Sequence, residues 1–395
     1  MKYNFDKVIN RKGTNSIKWD AGDLLKKFGI TERFDDDSIS MFVADMDFQS
    51  PQPVIDALHK RVDQMMYGYS THSTTSEYNE AVQSWFKRRH NWNITAESIV
   101  YCPGTVEALH ILIRTFSKEG DGIIIQRPVY RPFMTSVEEN NRKVVSNSLI
   151  ETEGFYTVDF DDLKEKAKDP NNTMMILCSP HNPVGRVWKK DELIQMAEIC
   201  LENDIILVSD EIHGDLIRKD QTHYPICTLV NDDRIISCTA INKTFNTAGL
   251  HCSNIIVNNK EMRLKFIKRL GMKLPSPFTI TALIAAYTEG EDWLNQVNEY
   301  IDGNLQYLKD FLEEKMPKVN YLIPEGTYIA WLDFRGYGLS SEEVHNRIYN
   351  KANVVLEDGE MFGPEGTGFQ RICVPSPRSV LEEALNRIYK EFKGL

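Results

Sequence analysis

The sequence predicts an α/β chain: a large domain on a mostly parallel sheet sandwiched by helices, then a smaller α+β domain. Three observations carry this reading. Between residues 95 and 260 short β-branched runs alternate with amphipathic stretches, and after about residue 290 the texture changes to long charged helical patterns. The length of 395 residues also exceeds the roughly 250–300 at which one core stops growing.

In chain order, the apolar runs lie at 98–101, 122–125, 174–177, 205–208, 234–237 and 254–257. Four-residue runs rich in Ile and Val suit strands buried on both faces, and the intervening stretches suit crossover helices. One such stretch, 191–199, carries apolar residues at 193, 196 and 197, with Cys200 just beyond it, one helical face. Further on, Tyr328–Phe334 reads as a strand and Ser379–Phe392 as a closing helix. The expected division is 1–48, an N-terminal segment without a sheet pattern of its own that packs on the small domain, 49–288, the large domain, and 289–395, the small domain.

Composition excludes several function classes. With 46 basic against 57 acidic residues the net charge is −11, and no Lys/Arg stripe could neutralise a phosphate backbone or an anionic membrane. The first twenty residues have no apolar run like a signal peptide, and no later run approaches the ~18–20 residues of a membrane span. A cytoplasmic protein is expected. The cysteines at 102, 178, 200, 227, 238, 252 and 373 form no CxxC pair, and no His cluster has metal-ligand spacing. They read as buried thiols in a reducing compartment, with no metal site.

Four polar motifs follow predicted strands. Lys243, in Asn242-Lys243-Thr244-Phe245-Asn246, lies where open α/β sheets place ligands, and burial can free its amine for imine formation and general-base work. Asp210, in Ser209-Asp210-Glu211-Ile212-His213, can pair with a protonated ring nitrogen, and His213 can bond near a ring oxygen. Pro183 and Gly185 fix a turn that lets Asn182 donate an amide hydrogen. Gly104 precedes a helix whose first N–H groups, from Thr105 and Val106, suit a phosphate. Each motif alone suits an ordinary turn; their order and common placement single them out.

That order, with Pro128-Val129-Tyr130, resembles the fold-type I pyridoxal-5′-phosphate (PLP) enzymes of the aspartate aminotransferase superfamily. The stretches Phe42–Phe48, Tyr67-Gly68-Tyr69-Ser70, Ser209–Leu216, Pro324–Tyr328 and Pro377–Leu381 are similar to the MalY/PatB branch of cystathionine β-lyases, also called carbon–sulfur β-lyases. The resemblance spans about residues 5 to 392. It implies a seven-stranded large-domain sheet and PLP bound as a Schiff base on Lys243. It implies Lys243, Asp210 and Tyr69 as catalytic residues, and Gly104, Thr105, Val106, Tyr130, Asn182 and His213 as further cofactor contacts. It further implies that Tyr130 stacks on the ring and that Tyr69 reaches the phosphate of the other subunit of a homodimer. Ala44 and Arg371 bind the amino-acid substrate, Arg371 through its α-carboxylate. Three positions depart from the pattern: Asn242 precedes Lys243 where Ser is frequent, Ala240 replaces a hydroxyl, and His251 replaces an Arg. The implied reaction is β-elimination from a cysteine thioether, giving a thiol, pyruvate and ammonia. The same catalytic residues suit an aminotransferase, and a regulatory partner-binding protein retaining the fold is a further alternative.

Overall fold

The computed structural model describes residues 1–71 and 76–395. Seven strands form the central sheet: β1 Ile99–Cys102, β2 Gly122–Ile125, β3 Lys143–Ser146, β4 Asn172–Cys178, β5 Ile206–Asp210, β6 Ile235–Ala240 and β7 Ser253–Val257. Their order is β1-β7-β6-β5-β4-β2-β3. Only β7 runs against its neighbours, and because it is antiparallel to both β1 and β6, those two point the same way.

All six expected runs are strands. Alternation within each decides which layer it feeds: Met174, Ile176 and Cys178 join one buried cluster with Leu109, Leu112, Phe133 and Phe266. Met175 and Leu177 face the opposite cluster with Leu193, Met196 and Ala197. Two-sided burial is what continuous apolar runs require. β3 was not expected, since it is an edge strand with an exposed Lys143 and half-buried companions, so only two of its four residues are apolar.

Beyond residue 290, the helix Glu291–Lys315 buries Leu294, Val297, Ile301, Leu305, Leu308 and Leu312, a 3–4 spacing that puts one face in the core. A three-stranded antiparallel sheet places Phe369–Cys373 between Ile329–Asp333 and Glu357–Asp358. The helix Arg378–Phe392 closes the chain. The N-terminal segment reaches these elements at several points. Phe5 lies 6.0 Å from Trp293 and 5.5 Å from Tyr300, and Ile39–Ser40 pairs in parallel with Val354–Val355. This two-residue strand takes its partner from a distant stretch, which is why no sheet pattern precedes it locally. Among the described residues no helix is long and apolar enough to cross a membrane.

Candidate active site

Because β1, β2, β4, β5 and β6 share one direction, their C-terminal ends open on one edge of the sheet. The residues following them meet there. Lys243 sits in the one-turn helix Ile241–Thr244 that follows β6. Its Nζ donates to the Ala44 carbonyl at 2.7 Å, and the Tyr328 hydroxyl donates to the same oxygen at 2.9 Å. The amine is enclosed although the residue as a whole is half-buried. Burial pulls its pKa below that of a free lysine; Arg371 adds to the effect, while Cys373, Asp45 and Asp210 oppose it.

Asp210, the last residue of β5, is buried and accepts the Ile212 N–H at 3.3 Å. Burial pushes its carboxyl up to about 7, with Glu211 adding to the rise and Lys243 resisting it. His213, three residues on, is held neutral: burial and the charges of Lys243 and Arg371 drive its pKa down to about 3. Its Nδ1 is buried without a hydrogen-bond partner.

Asn182 follows β4 in a turn closed by Gly185, whose φ is +74°. A Cβ there would lie 2.2 Å from Cβ of Pro324, so glycine lets the Pro324–Gly326 loop seat against the turn. Glu325 fastens the contact by accepting from Nε of Arg186 at 2.8 Å and the Val187 N–H at 2.9 Å. Arg371, on the strand Phe369–Cys373, is buried and donates from Nη1 to Oδ1 of Asn182 at 3.3 Å. Its other nitrogen pairs with Glu357, its cross-strand partner in register. Its Nε is buried without a hydrogen-bond partner. The Asn182 oxygen is thus occupied, leaving its amide hydrogens as donors.

Tyr130 caps the helix Arg131–Glu138 and is half-buried. Burial raises its pKa, Asp210 and Cys178 add to the rise, and Arg371 opposes it. Gly104 starts the helix Thr105–Phe116, whose first turn has no side-chain cap; Thr105 Oγ1 lies 3.2 Å from Ser253 Oγ. The structure therefore brings Lys243, Asp210, His213, Asn182, Arg371, Tyr130 and Ala44 to one edge, with the Gly104–Val106 turn at the end of β1.

Tyr69 stands apart, 98% exposed, over a groove of about 470 Å³ lined by Tyr67, Met272, Leu274, Pro275 and Pro277. His251 is exposed at a left-handed corner, φ +49°, and Ala240 is the buried residue ahead of the Lys243 helix. Three neighbours were missing from the sequence reading. Tyr328 ends the noted stretch Pro324–Tyr328 but was given no role. Asn246 has a signal in hindsight, a polar residue three positions after Lys243. Glu357 has none, because its pairing with Arg371 depends on the register of two strands. All seven cysteines are free, six of them buried.

A doubly wound sheet with a lysine whose amine is enclosed, a strand-end aspartate and a buried arginine at its carboxyl edge defines the class, and the chain belongs to the family of class I and II aminotransferases, whose model matches residues 37–388. Within that family it groups with the PatB/MalY-type cystathionine β-lyases. It is 41% identical to cystathionine beta-lyase PatB of Bacillus subtilis over 98% of both chains. It is 32% identical to protein MalY of Escherichia coli over 97% of both. The PLP-bound C-S lyase from Staphylococcus hominis superposes with a TM-score of 0.91 at 35% identity, covering all of both chains.

Proposed function

We propose that this chain is a PLP-dependent carbon–sulfur β-lyase of the cystathionine β-lyase type, cleaving cysteine thioethers to a thiol, pyruvate and ammonia. The observation that carries the reading is the enclosed Lys243 amine, lowered in pKa by burial and facing both Asp210 and Arg371.

The residues present fit PLP. A buried carboxyl pushed up to about 7 at Asp210 wants a cationic N–H partner, the orphaned Nδ1 of His213 wants a hydrogen-bond partner, and the uncapped turn at Gly104, Thr105 and Val106 suits an anion. Lys243 would hold the group through Nζ, Asp210 would face its ring nitrogen, Asn182 and His213 would lie near its ring oxygen, and Tyr130 would cover the ring. When bound, PLP supplies an electron sink for the charge left on the substrate Cα.

The chain's own residues then do two things. Arg371 takes the substrate α-carboxylate, with Glu357 and Asn182 fixing its plane. Once the substrate amine has taken its place, the freed Lys243 amine would accept the Cα proton, a role that burial favours by lowering its pKa. As the Cβ–S bond breaks, its electron pair leaves with sulfur as thiolate. The aminoacrylate left behind takes up water and yields pyruvate and ammonia.

The homodimer with shared sites is part of the same proposal, supported by the exposure of Tyr69. A cytoplasmic location is supported by seven free thiols. Of the domain limits 1–48, 49–288 and 289–395, the second boundary is supported by the helix change at Gly290.

Incubation with cystathionine and no 2-oxo acid tests the reaction: equimolar pyruvate and thiol are expected. Amino transfer after addition of an acceptor, without pyruvate, would make the chain an aminotransferase instead.

A further inference from the structure

The segment Ala44–Phe48 carries the carbonyl that receives the Lys243 amine, yet no helix or strand holds it. Side chains hold it instead. On one side Asn246, at φ +55°, donates to the carbonyls of Met46 at 3.0 Å and Phe48 at 2.9 Å, and its Oδ1 accepts the Met46 N–H at 3.0 Å. On the other side the N-terminal segment supplies two cations. Arg11 reaches Asp45 at 2.5 Å, Asp47 at 2.9 Å and the Met46 carbonyl at 3.1 Å. Lys18, fully buried, reaches Asp47 at 2.7 Å and the Asp45 carbonyl at 3.1 Å, and the Trp19 indole adds a bond to Asp47 at 2.8 Å. Two carboxylates thus meet two cations, and a buried ammonium is tolerated only when paired in this way.

The clasp also sets charge. The groups facing the Lys243 amine are Asp45 from this segment, Asp210 and His213 from the end of β5, Arg371 and Cys373 from the strand Phe369–Cys373, and Tyr328 through the shared Ala44 carbonyl. Asp45 is the carboxylate of this set that has its own external counter-ion, Arg11, as Arg371 has Glu357.

We propose that Arg11 and Lys18 are positioning residues for Lys243: together they fix the segment whose Ala44 carbonyl receives its amine, and Arg11 cancels the Asp45 charge that faces it. The inference rests on the reading of Lys243 as the reacting amine. It differs from a purely structural clasp in requiring opposite electrostatic effects from its two ends. Removing Arg11 leaves Asp45 uncompensated and favours the ammonium, while removing the Asp45 charge favours the neutral amine.

The experiment uses the full chain with Arg11→Gln, Asp45→Asn, the two combined, and Arg11→Lys. In the cofactor-free protein the pH midpoint for reaction of Lys243 with trinitrobenzenesulfonate is read by peptide mass spectrometry. In the holoenzyme the acidic limb of kcat/KM for cystathionine is read against pH. Arg11→Gln should raise both midpoints by about half to one unit, Asp45→Asn should lower them, the pair should return near the parent value, and Arg11→Lys should leave them in place. Shifts of one sign in both single variants, or none, overturn the proposal. Where Arg11→Gln does not fold, Asp45→Asn decides alone, since its midpoint must fall. Midpoints that shift as expected in a protein making no pyruvate would sink the lyase reading and leave the clasp; fixed midpoints in an active lyase would sink the clasp alone.

Discussion

A buried carboxyl such as Asp210 makes folding and protonation one problem. Its folded-state pKa of about 7 lies above the ~3.9 of an exposed aspartate, so between those values the folded chain holds a proton that the unfolded chain has released. Stability contributed by this proton is present at low pH and lost as pH rises toward 7, by about 1.4 kcal/mol per unit for a single group. In the cofactor-free protein Asp210→Asn should therefore flatten the fall in unfolding free energy between about pH 4 and 7, measured by urea denaturation; a slope equal to the parent's would mean the carboxyl is already ionised. Arg371 invites a kinetic test. Arg371→Gln removes the charged donor proposed for the substrate carboxylate, and a charge-assisted bond is worth about 1.5–3 kcal/mol. The expected loss in kcat/KM is about 10- to 150-fold, carried by KM; a loss confined to kcat would place Arg371 elsewhere in the reaction.

At the scale of elements, legibility followed how local the cause was. Strands β4 and β5 were readable because two-faced burial writes itself as Met174–Leu177 and Ile206–Val208. Edge strand β3 was not, since half its surface is free to be polar. Lys243, Asp210 and Asn182 were readable as strand-end residues, but Glu357 pairs with Arg371 only through the register of a two-residue strand. The Asn182–Gly185 turn shows both sides. Glycine as a turn former was evident, while its contact with Pro324, more than a hundred residues on, appears only once the chain is folded. Gly185→Ala adds a Cβ at a left-handed φ and 2.2 Å from Pro324 Cβ. Left-handed strain of about 1–2 kcal/mol and overpacking of about 1–3 kcal/mol point to a loss of roughly 2–5 kcal/mol, seen as a lower denaturation midpoint. Asn182 shifts with the turn, so Arg371 loses its 3.3 Å partner, and KM should rise with the instability; an unchanged midpoint would show that the loop simply moves away.

For the whole molecule the decisive residue is Tyr69. Nothing among the described residues of its own chain buries this ring, which is 98% exposed, as Met65 and Met66 are 82% and 72% exposed. In the proposed homodimer a two-fold partner presents this side chain to the Lys243 edge, and an isologous contact does so for both sites at once. The consequence is a complementation test. Lys243→Ala and Tyr69→Ala chains should each form nearly inactive dimers. Mixed under conditions that allow exchange, half of the dimers become hybrids, and each hybrid has one site with an intact lysine from one chain and an intact tyrosine from the other. Lyase activity should recover to about one quarter of the parent's, since half the dimers then carry one good site of two. If Tyr69 served its own chain instead, every site in every hybrid would lack one of the two residues, and mixing would restore nothing.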